Sequence, residues 1–368
     1  MIRSSLLFAT LIFLGASCQD DELPGNACNS DFDQTILFAA VADNLILPGY
    51  ETLADDLEEL RLAHLDFVAD PTPATLTPLR EKFESSWITW QSVEQFNFGP
   101  AEEFTLRQRF NPFPLNVDET EARIAAENLD FSNPDASFTQ GFPALDYLLY
   151  GTGDTYDAII VTLEEPSYRA FLADQISDLA STSAIVRNKW RDGYRDQFVN
   201  NTGTAAGSSL SLMVNNLNQN YEILKRDRLG IPSGVLTIGI PNPDRVEAPH
   251  SGISLELARA SLRATYAFYL SHDPSSEPEI TGLDDYLIAI DARKNDQSLD
   301  ALIRAQFDVA VSTLNALDGR LQDLAADETS RVVDAYNEVT KNLVNLKTDL
   351  PSVLCVSITY VDNPSDSD

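Results

Sequence analysis

The segment Tyr50–Phe67, YETLADDLEELRLAHLDF, repeats apolar side chains at steps of three and four residues. This spacing places Tyr50, Leu57, His64 and Phe67 along one side of an α-helix. Similar patterns recur along most of the chain, and glycine is sparse, with 16 in 368 residues. The sequence therefore predicts an all-α protein.

Segments rich in proline and glycine divide the predicted helices into two bundles. The longest interruption is Leu229–Gly252, which we expect to be non-helical. The predicted regions are an N-terminal bundle (31–160), a C-terminal bundle (161–355) and a disordered acidic tail (356–368). Among the predicted helices are Pro78–Phe96, Ser167–Asn200, Ser254–Leu270 and Leu299–Leu346, the last divided into two helices by its polar centre.

The N-terminus has the pattern of a lipoprotein signal. Arg3 precedes the apolar run Leu6–Leu14, and small residues then lead to Cys18. We expect residues 1–17 to be the signal peptide, Cys18 to carry lipid and residues 18–30 to form an acidic tether. The alternative is an ordinary secretory peptide, in which Cys18 is incidental.

This pattern predicts an outer-membrane lipoprotein that is periplasmic or surface-exposed. The acidic residues behind Cys18 resemble the surface-export tether of Bacteroidetes lipoproteins. No other run approaches a membrane-spanning length in the sequence, so we expect the lipid to be the only membrane attachment.

Cys28 and Cys355 lie near the two ends of the mature chain. An oxidising compartment and an even number of remaining cysteines favour a disulfide between them. The alternative is two unrelated buried thiols.

The formal net charge of −32 argues against nucleic acid as a partner, because binding its phosphates needs a basic face. Solubility in a crowded cell-surface layer is the simplest interpretation of this acidity.

The segment Gly141–Gly151, GFPALDYLLYG, has the frame of a metal-binding helix with altered ligands. Gly-x-His-x-x-Glu would place an imidazole and a carboxylate on one helix face, but this chain has Pro143 and Asp146 instead. A purely structural interpretation is a helix start, capped by Ser137 or Thr139, with Pro143 in the first turn. Asp146 would then be stabilised by the helix dipole.

A second candidate site lies on the helix that contains both tryptophans of the sequence WITWQSVE. Phe83, Trp87, Trp90 and Glu94 follow one another at steps of four, three and four residues, so Glu94 lies on an aromatic face. A buried carboxylate there needs a partner. We expect Glu94 to lie near Asp146, together with Arg107 or Arg109.

Three segments resemble the imelysin-like family: WITWQSVEQFNFGP, GFPALDYLLYG and DRLGIPSGVLTIGIPNPDRVEAPHSGISLELARASL. The resemblance implies an all-α fold of two helical-bundle halves with a cleft between them, a link to iron uptake and a place among catalogued metallopeptidases. The family marker is Gly-x-His-x-x-Glu. This chain keeps Gly141, replaces the histidine by Pro143 and shortens the acid to Asp146, which puts the family's metal site in doubt.

The other residues offer no obvious replacement for that metal site. The three histidines, His64, His250 and His272, are not spaced as paired ligands. Zinc of a hydrolytic type needs about three protein ligands. An oxygen-ligand site for iron or another divalent cation remains open, with Glu94 and Asp146 as candidate ligands.

The resulting hypothesis is a non-enzymatic envelope lipoprotein that binds iron, another metal or haem, in association with outer-membrane uptake machinery. The alternatives are an imelysin-type metallopeptidase and an interaction scaffold whose site has decayed. The candidate ligand-binding residues are Glu94, Arg109, Gly141, Pro143 and Asp146.

Overall fold

The computed structural model describes residues 30–128, 130, 134–276 and 278–360. The described chain is all-α, as predicted, apart from one small hairpin. Its α-helices are α1 (Gln34–Val41), α2 (Leu47–Ala69), α3 (Pro73–Val93), α4 (Pro100–Glu103), α5 (Leu106–Phe110), α6 (Val117–Ala125), α7 (Gly141–Asp146), α8 (Tyr156–Glu164), α9 (Pro166–Lys189), α10 (Arg195–Asn200), α11 (Ser209–Ile223), α12 (Ser254–Leu270), α13 (Leu283–Ala289), α14 (Leu299–Asn315), α15 (Leu321–Asp327), α16 (Thr329–Lys341) and α17 (Leu350–Val353).

Several of these helices continue directly into, or out of, a π-helical turn. Such turns are frequent at functional sites, and one of them, Leu224–Gly230, extends α11 and contains Arg228. The others are Ala42–Ile46, Tyr147–Gly151, Trp190–Tyr194 and Val344–Asp349. Short 3₁₀ turns occur at Pro134–Thr139 and Pro243–Arg245.

Helix α3 begins at Pro73, ahead of its predicted start at Pro78. Thr72 and Thr75 form a capping box, in which each side chain satisfies a backbone N–H at the helix start. Pro73 fits the first turn because no N–H is needed there. The helix ends at Val93, which leaves Glu94 as its C-terminal cap.

The predicted apolar stripe on α2 is buried. Tyr50, Leu57, His64 and Phe67 are all buried, and α2 packs against α3 and α9. The prediction placed α9 in the C-terminal bundle, but this contact puts it beside the N-terminal helices. The packing of the helices therefore does not divide the chain into two bundles at residue 160.

The helical run Gln34–Ala69 is long and apolar enough, by length and composition alone, to cross a membrane. No such run was expected from the sequence pattern. Its apolar stripe packs against neighbouring helices, which is the arrangement of a core helix.

The remaining helices build a second layer around α11, α12, α14 and α16. Helix α12 packs against α11 and α14, and it also packs against α3, which joins the two halves. Its bounds, Ser254–Leu270, match the prediction. This α3–α12 contact brings Glu94 close to residues far away in sequence.

Other predicted helices are broken where the backbone turns. The predicted Ser167–Asn200 helix is interrupted at Gly193, whose φ is +151°. The predicted Leu299–Leu346 stretch breaks first at Asn315 and again at Asp327. An unpredicted antiparallel hairpin pairs β1 (Arg293–Lys294) with β2 (Gln297–Ser298).

The predicted disordered tail begins too early. Thr359 donates its backbone N–H to Asn215 Oδ1 at 2.6 Å, and Asn215 Nδ2 donates to the Ser357 carbonyl at 3.0 Å. Residues 356–360 are thus packed on α11, while residues 361–368 lie outside the described residues.

Candidate functional site

Gly141 begins α7 in a conformation that favours glycine. Its φ is +75°, and a Cβ there would lie 2.3 Å from the Phe110 carbonyl oxygen. Its N–H donates to Gln175 Oε1 at 2.9 Å. The N-cap residue is Gln140, so the predicted caps Ser137 and Thr139 are wrong. The glycine of the motif therefore serves a tight helix entry.

Asp146 is fully buried, but the predicted reason for its position is wrong. It is the last residue of α7, so the start of that helix does not stabilise it. Its two oxygens instead accept backbone N–H groups from His250 (2.9 Å) and Ser251 (2.8 Å). Burial raises the pKa of Asp146, and these hydrogen bonds oppose that shift.

The residues at the family's motif do not fit a metal. Pro143 is buried and has no donor atom to offer. Both Asp146 oxygens already accept hydrogen bonds from the loop. Within the part of the chain that the structure describes, no group of three His, Cys, Asp or Glu side chains is placed to hold a metal ion. The altered motif thus holds a loop in place.

Glu94 lies at the centre of a buried charge network. Arg228 Nη2 donates to Glu94 Oε2 at 2.6 Å, and Arg228 Nε donates to Glu247 Oε2 at 2.7 Å. Arg228 is 1% exposed and both glutamates are 2% exposed. Burial by itself lowers the pKa of Arg228, but the Glu247 and Glu94 carboxylates outweigh it and hold this pKa above its usual range.

Polar side chains complete the network on the Glu247 side. Glu247 Oε1 accepts from Asn111 Nδ2 at 2.6 Å and from Gln91 Nε2 at 3.1 Å. Asn111 Oδ1 in turn accepts from Trp87 Nε1 at 3.1 Å. The second tryptophan of the predicted aromatic face, Trp90, packs on Phe110. The network therefore joins α3, the segment after α5, and the loop before α12.

The two arginines predicted as partners of Glu94 have different partners in the structure. Arg107 donates to the Glu94 carbonyl at 3.0 Å, and its Nε lies 3.9 Å from Glu94 Oε1. Burial lowers the pKa of Arg107, while the Glu94 charge opposes that shift. Arg109 instead forms a two-point ion pair with Asp178. Of these two arginines, Arg107 is therefore the one that contacts Glu94, in addition to Arg228.

Glu94 and Asp146 are linked through one loop. Glu247 binds the arginine that Glu94 binds, and His250, in the same loop, donates its N–H to Asp146. The His250 ring packs edge-on against Tyr147 with centroids 5.4 Å apart. Of the other histidines, His64 is buried on its predicted stripe and His272 lies in a loop.

A groove with a cavity volume of about 690 Å³ opens beside the network. The Phe113 ring, on its wall, lies 5.8 Å from Arg228 Cζ. Among the described residues Arg245 has no ion-pair partner, and Arg226 lies 3.8 Å from Asp227. Burial raises the pKa of Asp227. The other lining residues are Pro114, Leu115, Asn116, Val117, Asp118, Phe138 and Ile231.

Arg228 and Glu247 were not among the site residues predicted from the sequence. Both lie in the segment DRLGIP…DRVEAP, which resembles the imelysin-like family. In this segment the charged residues flank a long uncharged stretch, Leu229–Asn242. This pattern was the sequence feature that could have indicated Arg228 and Glu247 as site residues. Their burial depends on the contact between α3 and α12, which a helical pattern does not specify.

Cys18 and Cys28 lie outside the described residues. Cys355 is part of a disulfide, and its pairing with Cys28 stays a prediction.

Known structures of low sequence identity share the fold. A solved structure from Parabacteroides distasonis ATCC 8503, described as an iron-regulated protein A precursor, is 17% identical with a TM-score of 0.70. The similarity covers 89% of this chain and 98% of that protein. An imelysin-like protein from Psychrobacter arcticum 273-4 is 21% identical with a TM-score of 0.68, over 89% of this chain and 97% of its own.

No curated protein matches the chain. The family model described as Peptidase_M75, Imelysin, matches residues 46–346, which is most of the chain. The match spans α3, the altered motif and the loop that contains Glu247. The chain therefore belongs to the imelysin family.

Proposed function

We propose that this protein is a non-enzymatic envelope lipoprotein that binds an iron chelate or haem in the groove beside Arg228. The observation that carries the proposal is the composition of this groove. Asp118 and Asp227 also line this groove, and Arg226 lies 3.8 Å from Asp227. Arg245 has no ion-pair partner among the described residues, and it lines the groove together with the aromatic side chains of Phe113 and Phe138. An anionic, partly flat ligand matches such a lining.

The ligand set favours a chelate over a bare ion. A protein that binds a bare transition metal supplies several side-chain ligands of its own. Among the described residues, no three such side chains are placed to hold a metal ion. An iron chelate or haem carries its own iron ligands, so the protein needs to supply only shape, charge and apolar contact.

The size and charge of the groove support a small organic ligand. A volume of about 690 Å³ lies within the range of small-molecule sites, roughly 300–1,000 Å³. Arg245 is exposed at the groove and is free to meet a carboxylate. The buried Arg228 network beneath would fix the groove walls, because it ties both flanking segments to α3.

The similarity to the Parabacteroides protein, which is described as iron-regulated, supports the iron-related part of the proposal. The signal pattern ending at Cys18 supports the envelope location. Cys18→Ser should release the protein from the membrane fraction, and unchanged membrane association would contradict the lipid anchor.

Equilibrium titration of the purified protein tests the binding function. Haemin and ferric citrate are titrated separately, with gallium nitrate as a bare trivalent ion that carries no chelator. We expect saturable one-to-one binding of haemin or ferric citrate, and no stoichiometric binding of gallium. Saturable binding of gallium alone would contradict the proposal.

The alternative function is a metallopeptidase, as the family description suggests. A casein digest with and without chelator separates the two. Cleavage that disappears with chelator would favour the peptidase, and stable casein is the result we expect.

A further inference from the structure

Residues 232–242, here called the apolar loop, present aliphatic side chains to solvent. Ile238 is 99% exposed and Ile240 is 69% exposed, and Val235 and Leu236 beside them are exposed as well. Single apolar residues are normal at a protein surface, but a cluster of them marks an interaction site.

The fold by itself does not favour an isoleucine at position 238. The φ of Ile238 is +59°, a left-handed conformation that β-branched residues rarely adopt. Its side chain is almost fully exposed, so no burial offsets that strain. Glycine or asparagine suits this backbone better. The conformation therefore indicates that the Ile238 side chain acts outside the fold.

The backbone of the apolar loop is hydrogen-bonded within the loop. Gly239 and Thr237 donate their N–H groups to the Gly234 carbonyl at 2.9 and 3.0 Å. The Thr237 hydroxyl donates to the Ile240 carbonyl at 2.6 Å. Unpaired backbone groups are costly in lipid. Because this loop pairs several of its own, it can enter an apolar phase at a lower cost than an open loop.

The chemistry of the loop favours lipid over a protein partner. The stretch Leu229–Asn242 contains no charged and no aromatic residue, whereas hot spots between proteins are enriched in Trp, Tyr and Arg. Aliphatic side chains suit the acyl region just below the lipid headgroups. The formal net charge of −32 disfavours anionic headgroups, so the lipid that fits is zwitterionic.

The lipid anchor proposed at Cys18 can reach the same bilayer as the apolar loop. Gly203, just before α11, donates its N–H to Gln34 Oε1 at 2.6 Å, which places the start of α1 near the first turn of α11. The apolar loop follows the other end of this helical run, Ser209–Gly230, which is about 33 Å long. A tether of residues 18–30 reaches up to about 40 Å when extended.

We propose that the apolar loop inserts Ile238 and Ile240 into the acyl region of a zwitterionic bilayer, as a second membrane contact besides the lipid on Cys18. The proposal rests on the envelope location proposed above and not on the ligand of the groove beside Arg228. It adds a peripheral contact to the attachment by lipid alone that the sequence predicts.

A fluorescent label on the loop tests the contact with lipid. Ile238→Cys is labelled with the environment-sensitive fluorophore NBD, without reductant, so that the disulfide of Cys355 stays intact. The mature protein is reconstituted in phosphatidylcholine vesicles that contain a spin-labelled acyl chain, which quenches fluorophores inside the bilayer. Ile185→Cys is the matched control, at an exposed position of α9, which packs against α2. Wild-type protein gives the labelling background.

We expect a blue shift and quenching of the label at position 238, because lipid replaces water around it, and neither change at position 185. Identical spectra with and without vesicles, or equal quenching at both positions, would overturn the proposal. A blue shift that rises with protein concentration in the absence of vesicles would also overturn it, because the loop would then dock on a second copy of the chain. Flotation of wild-type protein with the vesicles reports the lipid anchor, so a failed anchor is distinguishable from a failed loop.

A second label, at Ile240→Cys, shows whether Ile238 drives the insertion. Ile238→Asn removes the aliphatic side chain and suits the positive φ, so the fold should be retained. Quenching of the label at position 240 should fall in Ile238→Asn and stay unchanged in Ile185→Asn. Thermal melting shows that each variant is folded, and unchanged quenching in folded Ile238→Asn would contradict the proposal.

Discussion

Asp146 and Glu247 are both buried carboxylates, but they hold the same loop in different ways. Asp146 accepts two backbone N–H groups, from His250 and Ser251. Glu247 belongs to that loop and binds the guanidinium of Arg228. Replacing Asp146 removes acceptors from a loop, whereas replacing Arg228 leaves charges buried without a partner. Replacing Arg228 should therefore lower the free energy of unfolding more than replacing Asp146 does.

The first prediction is that Arg228→Leu destabilises the protein most. It leaves Glu94 and Glu247 buried together without their shared cation, so the free energy of unfolding should fall by about 3–5 kcal/mol. Urea titration measures this change. Arg191→Leu is the control, since its pair with Glu51 is half exposed and should contribute under about 1 kcal/mol. If Arg228→Leu lowers the free energy of unfolding no more than Arg191→Leu does, the buried charge network does not stabilise the protein as predicted.

Asp146→Ala should destabilise the protein by about 1–3 kcal/mol, because two buried backbone N–H groups lose their acceptor. Hydrogen exchange should accelerate at His250 and Ser251 in particular. Asp318→Ala, at an exposed position, is the matched control. Unchanged exchange at His250 and Ser251 in a folded Asp146→Ala protein would refute the role of Asp146 as an anchor of the loop.

A third buried carboxylate, Asp284, should make the stability of the protein depend on pH. Burial first, and then the charge of Asp285, raises its pKa to about 7, although Arg304 Nη1 donates to its Oδ2 at 3.1 Å. A raised carboxyl pKa means that the folded state binds the proton more tightly than the unfolded state. Its contribution to stability is therefore present at low pH and is lost as pH rises from about 4 to about 7.

Asp284→Asn should flatten the stability profile over that pH window. Urea titrations at a series of pH values measure the profile, and Asp318→Asn serves as the exposed control. A wild-type and an Asp284→Asn profile of the same slope across this window would contradict this assignment.

The smallest effect is expected at Arg109. Its ion pair with Asp178 is partly exposed on both sides, so Arg109→Met should cost under about 1 kcal/mol. Haemin binding should be unchanged, because Arg109 does not line the groove beside Arg228. If Arg109→Met loses haemin binding without losing stability, Arg109 is a ligand-binding residue, as the sequence predicted.

The sequence predicted the parts of the fold that depend on local pattern. The stripe on α2 and the bounds of α12 follow from apolar spacing, and both are confirmed. The break at Gly193 inside a predicted helix was missed, because the spacing of apolar residues carries no information about its φ of +151°. The ends of helices that are interrupted by turns were accordingly the least accurately predicted part of the fold.

For the candidate site, the sequence identified Glu94 and its neighbour Arg107 and missed Arg228 and Glu247. Glu94 stood out because a carboxylate on an aromatic helix face needs a counter-charge. The main counter-charge, Arg228, lies 134 residues away along the chain, whereas the predicted Arg107 is only 13 residues away and Arg109 pairs with Asp178 instead. Whether Glu94 and Arg228 meet depends on how α3 packs on α12. The spacing of residues along one helix does not determine that packing.

Haemin binding by Arg245→Gln and by Asp146→Asn distinguishes the groove beside Arg228 from the altered motif as the ligand site. If the groove beside Arg228 is the ligand site and the altered motif is a structural anchor, Arg245→Gln should weaken binding about tenfold, as loss of one charged contact predicts. Folded Asp146→Asn should bind nearly as wild type. The reverse pattern, with binding lost only in Asp146→Asn, would contradict the account and return the ligand to the motif.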